Sequence, residues 1–206
     1  MVEFPVLGYL RFGEAVVDRP NSHLHVDARA ALPEALARIE CRGRQFIEEE
    51  IVFSGPVGMT QCVTTDGTSY IGFARRPGRT GLSRFVVERE PEPTSILTVV
   101  IRKEDEGERY ILVTAHVGER SLEPWDPRAD EQWLRYWAVH ALILGGEQKA
   151  LCWQCEREDA RLVCYYVLIC RECDNDLLGR YKGKKPPRAY KYVAGWGKIY
   201  YPCWLG

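Results

Sequence analysis

Ile96-Leu-Thr-Val-Val-Ile-Arg-Lys103, followed past a turn near Asp105-Glu-Gly107 by Tyr110-Ile-Leu-Val-Thr-Ala-His-Val117, reads as a β-hairpin. Both runs are rich in β-branched residues, and the acid-glycine break between them supplies the reversal. Strict alternation in the second strand puts Ile111, Val113, Ala115 and Val117 on one face and Tyr110, Leu112, Thr114 and His116 on the other. The first face is apolar and is expected to meet helices. The second carries a hydroxyl and an imidazole, and is the natural floor of a site.

Working outward, an early helix takes Pro33 in its first turn, buries Leu32, Leu36 and Ile39 along one stripe, and stops at Gly43. Short strands are expected over 45–54, 61–64 and 70–75, separated by Gly, Pro and Asp-Gly signals. After Pro124-Trp-Asp-Pro127, Asp130 is suited to cap a helix with Trp133, Trp137, His140 and Leu144 on one stripe. The expected fold class is α+β: an antiparallel sheet with flanking helices over residues 1–147, plus a C-terminal module over 148–206, with Gly145-Gly-Glu147 as the junction.

The module is marked by Cys152-Trp-Gln-Cys155 and, fourteen residues on, Cys170-Arg-Glu-Cys173. Two C-x-x-C pairs can turn four thiolates toward one tetrahedral ion, so the spacing points to a structural zinc site in a zinc-ribbon-like module, with disulfides and free buried thiols as the alternatives. Four sulfurs close the coordination sphere, which makes such a site a staple and not a catalyst. A redox C-x-x-C normally opens a helix after a strand, and neither pair is expected in that setting. The run 161–169 between the pairs suits a strand or hairpin; Cys164 falls inside it and reads as core, with a place in another coordination set left open.

The 206 residues carry 28 basic and 29 acidic side chains, so net charge gives no argument for nucleic acid. Distribution is more informative. Arg171, Arg180, Lys182, Lys184, Lys185, Arg188, Lys191 and Lys198 interleave with Tyr181, Tyr190, Tyr192 and Trp196, a pattern that can hold phosphates and stack bases, or simply form a solvated face. No run of eighteen apolar residues occurs, and Met1-Val-Glu-Phe-Pro5 lacks the form of a signal peptide. The expectation is a cytoplasmic protein with no membrane partner, in which Cys41, Cys62 and Cys203 stay reduced.

Four histidines are present, His23, His25, His116 and His140. Imidazoles can serve as acid and base near neutral pH. The loop Arg75-Arg-Pro-Gly-Arg-Thr-Gly-Leu-Ser-Arg84 offers guanidiniums near glycines and hydroxyls, as a phosphate clamp does, and as a charged hairpin tip does too. It lacks the Gly-Lys-Ser/Thr ending of a Walker loop, and neither G-x-S-x-G nor G-x-G-x-x-G occurs. The acidic runs 48–50 and 88–92 read as solvated strand faces.

Arg76-Pro-Gly-Arg-Thr-Gly-Leu-Ser-Arg-Phe85, Pro93-Thr-Ser-Ile-Leu-Thr-Val-Val-Ile-Arg102, Leu112-Val-Thr-Ala-His-Val-Gly118, Glu123-Pro-Trp-Asp-Pro127 and Trp137-Ala-Val-His-Ala-Leu142 together resemble a set of small microbial proteins that look like members of the barnase, EndoU, colicin and RelE superfamily of RNase toxins. The likeness covers roughly residues 20–145 and leaves out the cysteines. It implies a compact α+β fold with a metal-independent RNA-cleaving site: His25 as base, Arg79 and Arg84 as phosphate cations, Ser83 and Thr114 as polar positioning groups, and His140 as acid. His116 stands where that pattern has an aromatic residue, which ranks it second.

The expectation from sequence is therefore an endoribonuclease, a toxin or phage-linked effector, that cleaves RNA by 2′-hydroxyl transesterification and answers to a protein partner or inhibitor. The alternative is a non-catalytic zinc-ribbon adaptor that binds nucleic acid or protein through 180–198. A subunit of a larger assembly is a third reading.

Overall fold

A computed structural model describes residues 4–105, 109–145 and 148–203. The turn expected at 105–107 and the junction at 145–147 lie largely outside the described residues. In chain order the elements are β1 (Val6–Tyr9), β2 (Ala15–Val17), β3 (His23–Leu24), α1 (Leu32–Arg38), β4 (Phe46–Val52), β5 (Gly58–Thr60), β6 (Cys62–Thr64), β7 (Ile71–Arg75), β8 (Leu82–Val86), β9 (Glu92–Thr94), β10 (Ile96–Lys103), β11 (Tyr110–Val117), α2 (Glu131–Val139), β12 (His140–Ile143), β13 (Leu162–Cys164), β14 (Val167–Ile169), α3 (Arg171–Tyr181), β15 (Arg188–Val193) and β16 (Gly197–Pro202). The chain is thus mixed α and β, with strands dominant. Among the described residues no helix is long and apolar enough to cross a membrane.

The chain divides into two compact units, residues 1–60 with 92–120, and 61–91 with 121–206. This is not the division at 147/148 expected from sequence. The cysteine segment shares one core with β7, β8 and α2: Val167, Leu168, Ile169 and Cys170 pack with Phe73, Leu82, Phe85 and Trp137. A segment that completes another segment's core has no separate boundary.

The sheets are mixed and not the antiparallel one expected from sequence: in the first unit the sheet runs β1-β2-β11-β10-β4, with β3 beside β11 and both β2 and β3 parallel to β11, and in the second β12/β8 and β14/β7 are parallel. The β10/β11 hairpin is antiparallel as expected, but its register shifts between Val100 and Ile101, where Thr114 and Leu112 are the successive partners. Val113 is the extra residue, and a bulge of this kind reverses the phase of alternation. Tyr110 and Leu112 therefore join Ala115 in the core, while Thr114 and His116 keep the opposite face. Helix α1 has Pro at its start and buries Leu32 and Leu36, with Ile39 beyond its last turn. It ends at Arg38, ahead of Gly43, which instead turns the chain into β4 with φ 73°.

In the second unit the sheet runs β13-β14-β7-β8-β12-β6, and β15/β16 form a separate antiparallel hairpin. Asp130 caps α2 as expected, accepting from the backbone N–H groups of Gln132 and Trp133. The helix stops at Val139, however: His140 is already extended and opens β12. The expected stripe therefore breaks after Trp137, which is buried and donates from Nε1 to the Leu122 carbonyl at 2.9 Å.

Candidate metal centre and nucleic-acid interface

Cys152 and Cys155 lie on one tight turn, closed by the Glu156 N–H donating to the Cys152 carbonyl at 2.9 Å. Glu156 follows in the left-handed region at φ 60°, a conformation that favours glycine. The chain then forms the β13/β14 hairpin, and Cys170 is the extended residue that caps α3, its sulfur 3.5 Å from the Cys173 N–H. The second pair thus does open a helix after a strand, contrary to the expectation from sequence, where both pairs were to sit on ribbon-like turns. Its sulfurs nonetheless face the first pair.

The four sulfurs lie within 4.8 Å of one another, and those of Cys155 and Cys170 are 3.8 Å apart. A tetrahedral site with metal–thiolate bonds of about 2.3 Å has edges of about 3.8 Å. A disulfide needs about 2.05 Å. None of the eight cysteines is in a disulfide, and Cys164 is outside the converging group, its thiol pushed up to about 11 by burial and then by Asp174. The donor set fits one tetrahedral metal ion.

Burial and hydrogen bonding both act on the sulfurs. Burial pushes the thiols of Cys152 and Cys173 up. Burial acts on Cys155 in the same direction, but hydrogen bonds from the backbone and side chain of Arg157 outweigh it and bring that thiol down to about 7. Arg157 donates from Nε to Cys155 and from Nη2 to Cys170, both at 3.4 Å, and from Nη2 to Glu172 at 2.6 Å. Neither Arg157 nor Glu172 was singled out by the sequence pattern. N–H donors also reach the sulfurs from the backbone, with the Cys170 N–H 3.3 Å from the Cys152 sulfur. Thiolate charge is thus met from several directions, as outer contacts of metal sites do.

The turn residue Trp153 couples this centre to the hairpin. Its ring lies 5.5 Å from that of Tyr201, and the Lys191 ammonium is 5.5 Å from its centroid. Pairing of Arg188 with Pro202, Tyr190 with Tyr200 and Tyr192 with Lys198 then fixes which side chains share the opposite, outer face. On it Tyr190 lies 6.0 Å from Tyr192 and 5.8 Å from Tyr200, with Tyr166 a further 6.0 Å beyond. Lys198 stands 4.6 Å from the Tyr190 centroid and Arg188 5.2 Å from that of Tyr200. Tyr190 and Tyr192 are 51% and 70% exposed, unlike aromatics that serve a core. Tyr166 and Tyr200 belong to this row and were missed from sequence, because only strand pairing brings them beside 190–192.

No family model, curated protein or solved structure matches the chain.

The residues expected to cleave RNA are distributed over both units. His25 and Thr114 belong to the first, Arg79, Ser83, Arg84 and His140 to the second. In the first unit the His25 ring stands edge-on to His116 at 6.0 Å, and burial, then the His25 charge, hold His116 below the ordinary imidazole range against a raising contact with the Glu119 backbone. Thr114 pairs with His23 across β11/β3.

In the second unit Arg79 is exposed at the β7/β8 turn. Arg84 is committed to backbone: its Nη1 donates to the carbonyls of Trp137, Ala138 and His140 at 2.8–3.0 Å. Ser83 is fully buried and donates to Glu123 Oε1 at 2.7 Å, an oxygen that also accepts from Arg76 Nη2 at 2.7 Å. His140 stacks on Tyr136 at 3.8 Å; its Nδ1 donates to the Tyr136 carbonyl at 2.8 Å, and its Nε2 faces the Thr64 hydroxyl at 3.4 Å. Both ring nitrogens have partners. Arg76, expected in a phosphate clamp, instead pairs with the buried Glu123, a pairing missed from sequence, and burial pushes the carboxyl up and the guanidinium down.

Proposed function

We propose that the protein is a zinc-stapled binder of single-stranded nucleic acid, with the outer face of the β15/β16 hairpin as its platform. The observation that carries this reading is the exposed row Tyr166, Tyr200, Tyr190, Tyr192 with Arg188 and Lys198 against it. Ring spacings near 6 Å along a strand suit successive bases, and the cations serve the phosphates between them. Exposed Lys182, Lys184 and Lys185 lead into the same hairpin. Zinc is the metal favoured by four thiolates in a tetrahedron, and its role here is to hold the Trp153 turn that backs the hairpin.

A labelled random-sequence single strand, titrated with the zinc-loaded protein, tests this. Binding is expected to fall steeply with salt and to weaken in Tyr190→Ala and Lys198→Glu. Binding that ignores both substitutions would remove the reading.

A second reading, metal-independent RNA cleavage, rests on one observation: the His25 and His116 rings 6.0 Å apart. Two imidazoles at that distance can serve one phosphate, one taking the 2′-hydroxyl proton and the other protonating the leaving oxygen. Total RNA is expected to yield 2′,3′-cyclic phosphate ends with EDTA added for the assay, and not with His25→Ala. Intact RNA with the wild-type protein would leave only the binding reading.

A further inference from the structure

Behind the β15/β16 hairpin lies a cavity of about 590 Å³, formed wholly within the second unit and lined by Trp153, Tyr201, Lys191, Arg75, Thr80 and Tyr192 among others. Its volume is that of a small-ligand site. The chemistry of its walls is specific. Trp153 and Tyr201 supply aromatic surface, their planes tilted by 37°. Lys191 adds a cation beside Trp153, and Arg75 adds a second, paired with Glu156. Arg75 is offset by Glu156, and Cys152, which also lines the cavity, is buried in the thiolate centre, so Lys191 beside the aromatic walls is the group that suits an occupant with a ring and an anionic group. Two further cavities lack such a pair of aromatic walls: one is lined by Arg38, Glu40, Arg42, Arg44 and Glu49, with Arg42 paired to Glu40, Arg44 to Glu49 and Arg38 to Glu34, and another, of about 310 Å³, is lined by Tyr70 with Val87, Leu144 and Val163.

Tyr192 connects this cavity with the outer face of the hairpin. It lies 6.0 Å from Tyr190 in the tyrosine row and also lines the cavity. A strand lying along Tyr200, Tyr190 and Tyr192 therefore runs toward the cavity mouth. We infer that one nucleotide of the bound strand leaves the row there, places its base in the cavity against Trp153, and sets its phosphate on Lys191. This rests on the binding reading above and adds to it a defined pocket for a single nucleotide. Aromatic surface supplies affinity for any base, while a concave wall adds contacts on more than one side that a flat row lacks.

The test uses the full-length zinc-loaded chain and a labelled single strand. Ala194→Trp, at an exposed turn position on the cavity wall, fills the space without altering the tyrosine row. Thr80→Trp fills it from another exposed position and guards against misfolding of the first variant. Each is expected to weaken binding by about 5- to 150-fold, the equivalent of about 1–3 kcal/mol for one stacked base. In wild type a nucleoside 5′-monophosphate is expected to shift the Trp153 indole N–H resonance, assigned with Trp153→Phe, whereas inorganic phosphate alone does not. If both filled variants, zinc-loaded and folded, bind the strand like wild type while Tyr190→Ala binds it weakly, the pocket is overturned and the platform stands. If wild type binds no strand, the platform itself falls.

Discussion

Arg157 Nε lies 3.4 Å from the Cys155 sulfur, and its Nη2 reaches Cys170 at the same distance. Four thiolates around a divalent ion carry a net charge of −2, and a guanidinium donating to two of them offsets part of it. Arg157→Ala is expected to lower zinc affinity by about 10- to 100-fold, the usual cost of losing an outer contact of this kind. Competition against a chromophoric chelator measures it. Arg157→Lys should recover only part, since an ammonium cannot present two fixed N–H vectors.

Cobalt(II) in place of the native ion should give visible bands typical of tetrahedral thiolate coordination, at one ion per chain. Cys155→Ala should lose them and the cooperative thermal transition of the second unit, because metal binding free energy is folding free energy where the ligands come from separate elements. Cys164→Ala should keep the bands, as this thiol is outside the converging group. Loss of the bands in that variant would mean a different ligand set.

How much was legible in the sequence depended on the range of the signal. The thiol pairs, the cap at Asp130 and the β10/β11 hairpin are local patterns, and each is present. The phase change at Val113 was hidden, because a bulge depends on the pairing partner and leaves the composition of the strand unchanged. So was the end of α2. Trp133, Trp137 and His140 keep helical spacing, yet His140 is drawn out of the helix by pairing with Thr64 across β12/β6. Arg84, Ser83 and His140 are the residue types that catalysis uses, but types do not reveal partners. Carbonyls, Glu123 and Tyr136 took them.

His116 gives a pH signature. Burial holds its folded value below the ordinary imidazole range, so between that value and about 6.5 the unfolded chain binds more protons than the folded one. Stability should therefore be undiminished above about pH 6.5 and decline as the pH falls from there toward the folded value. Urea titrations at several pH values check this, and His116→Gln should flatten the decline. A decline left unchanged in the variant would assign the effect elsewhere.

Gly81 faces the Trp125 ring so closely that an added Cβ would meet its Cγ at 2.0 Å. The β7/β8 loop and the 121–130 segment are thereby fitted to each other. Gly81→Ala should destabilise the second unit by at least about 1–3 kcal/mol, the range for overpacking, with a fall in melting temperature and a change in tryptophan fluorescence. Gly78, at φ 69° in the same loop with nothing within 4 Å of its Cβ position, should respond more mildly, through backbone strain alone.

Ser83 and Arg76 both donate to Glu123 Oε1, so the hydroxyl is half of what satisfies a buried carboxylate oxygen. Removing it leaves the acceptor underpaired in a site closed to water, at a cost of about 1–3 kcal/mol. Ser83→Ala should therefore lower the midpoint of chemical unfolding, while Glu123→Gln, which keeps an acceptor but gives up the ion pair with Arg76, should cost at least as much. The double variant Ser83→Ala with Glu123→Gln should cost less than the sum of the two, since each removes part of one network. A catalytic serine would behave otherwise: its loss would abolish activity and leave the unfolding midpoint where it was.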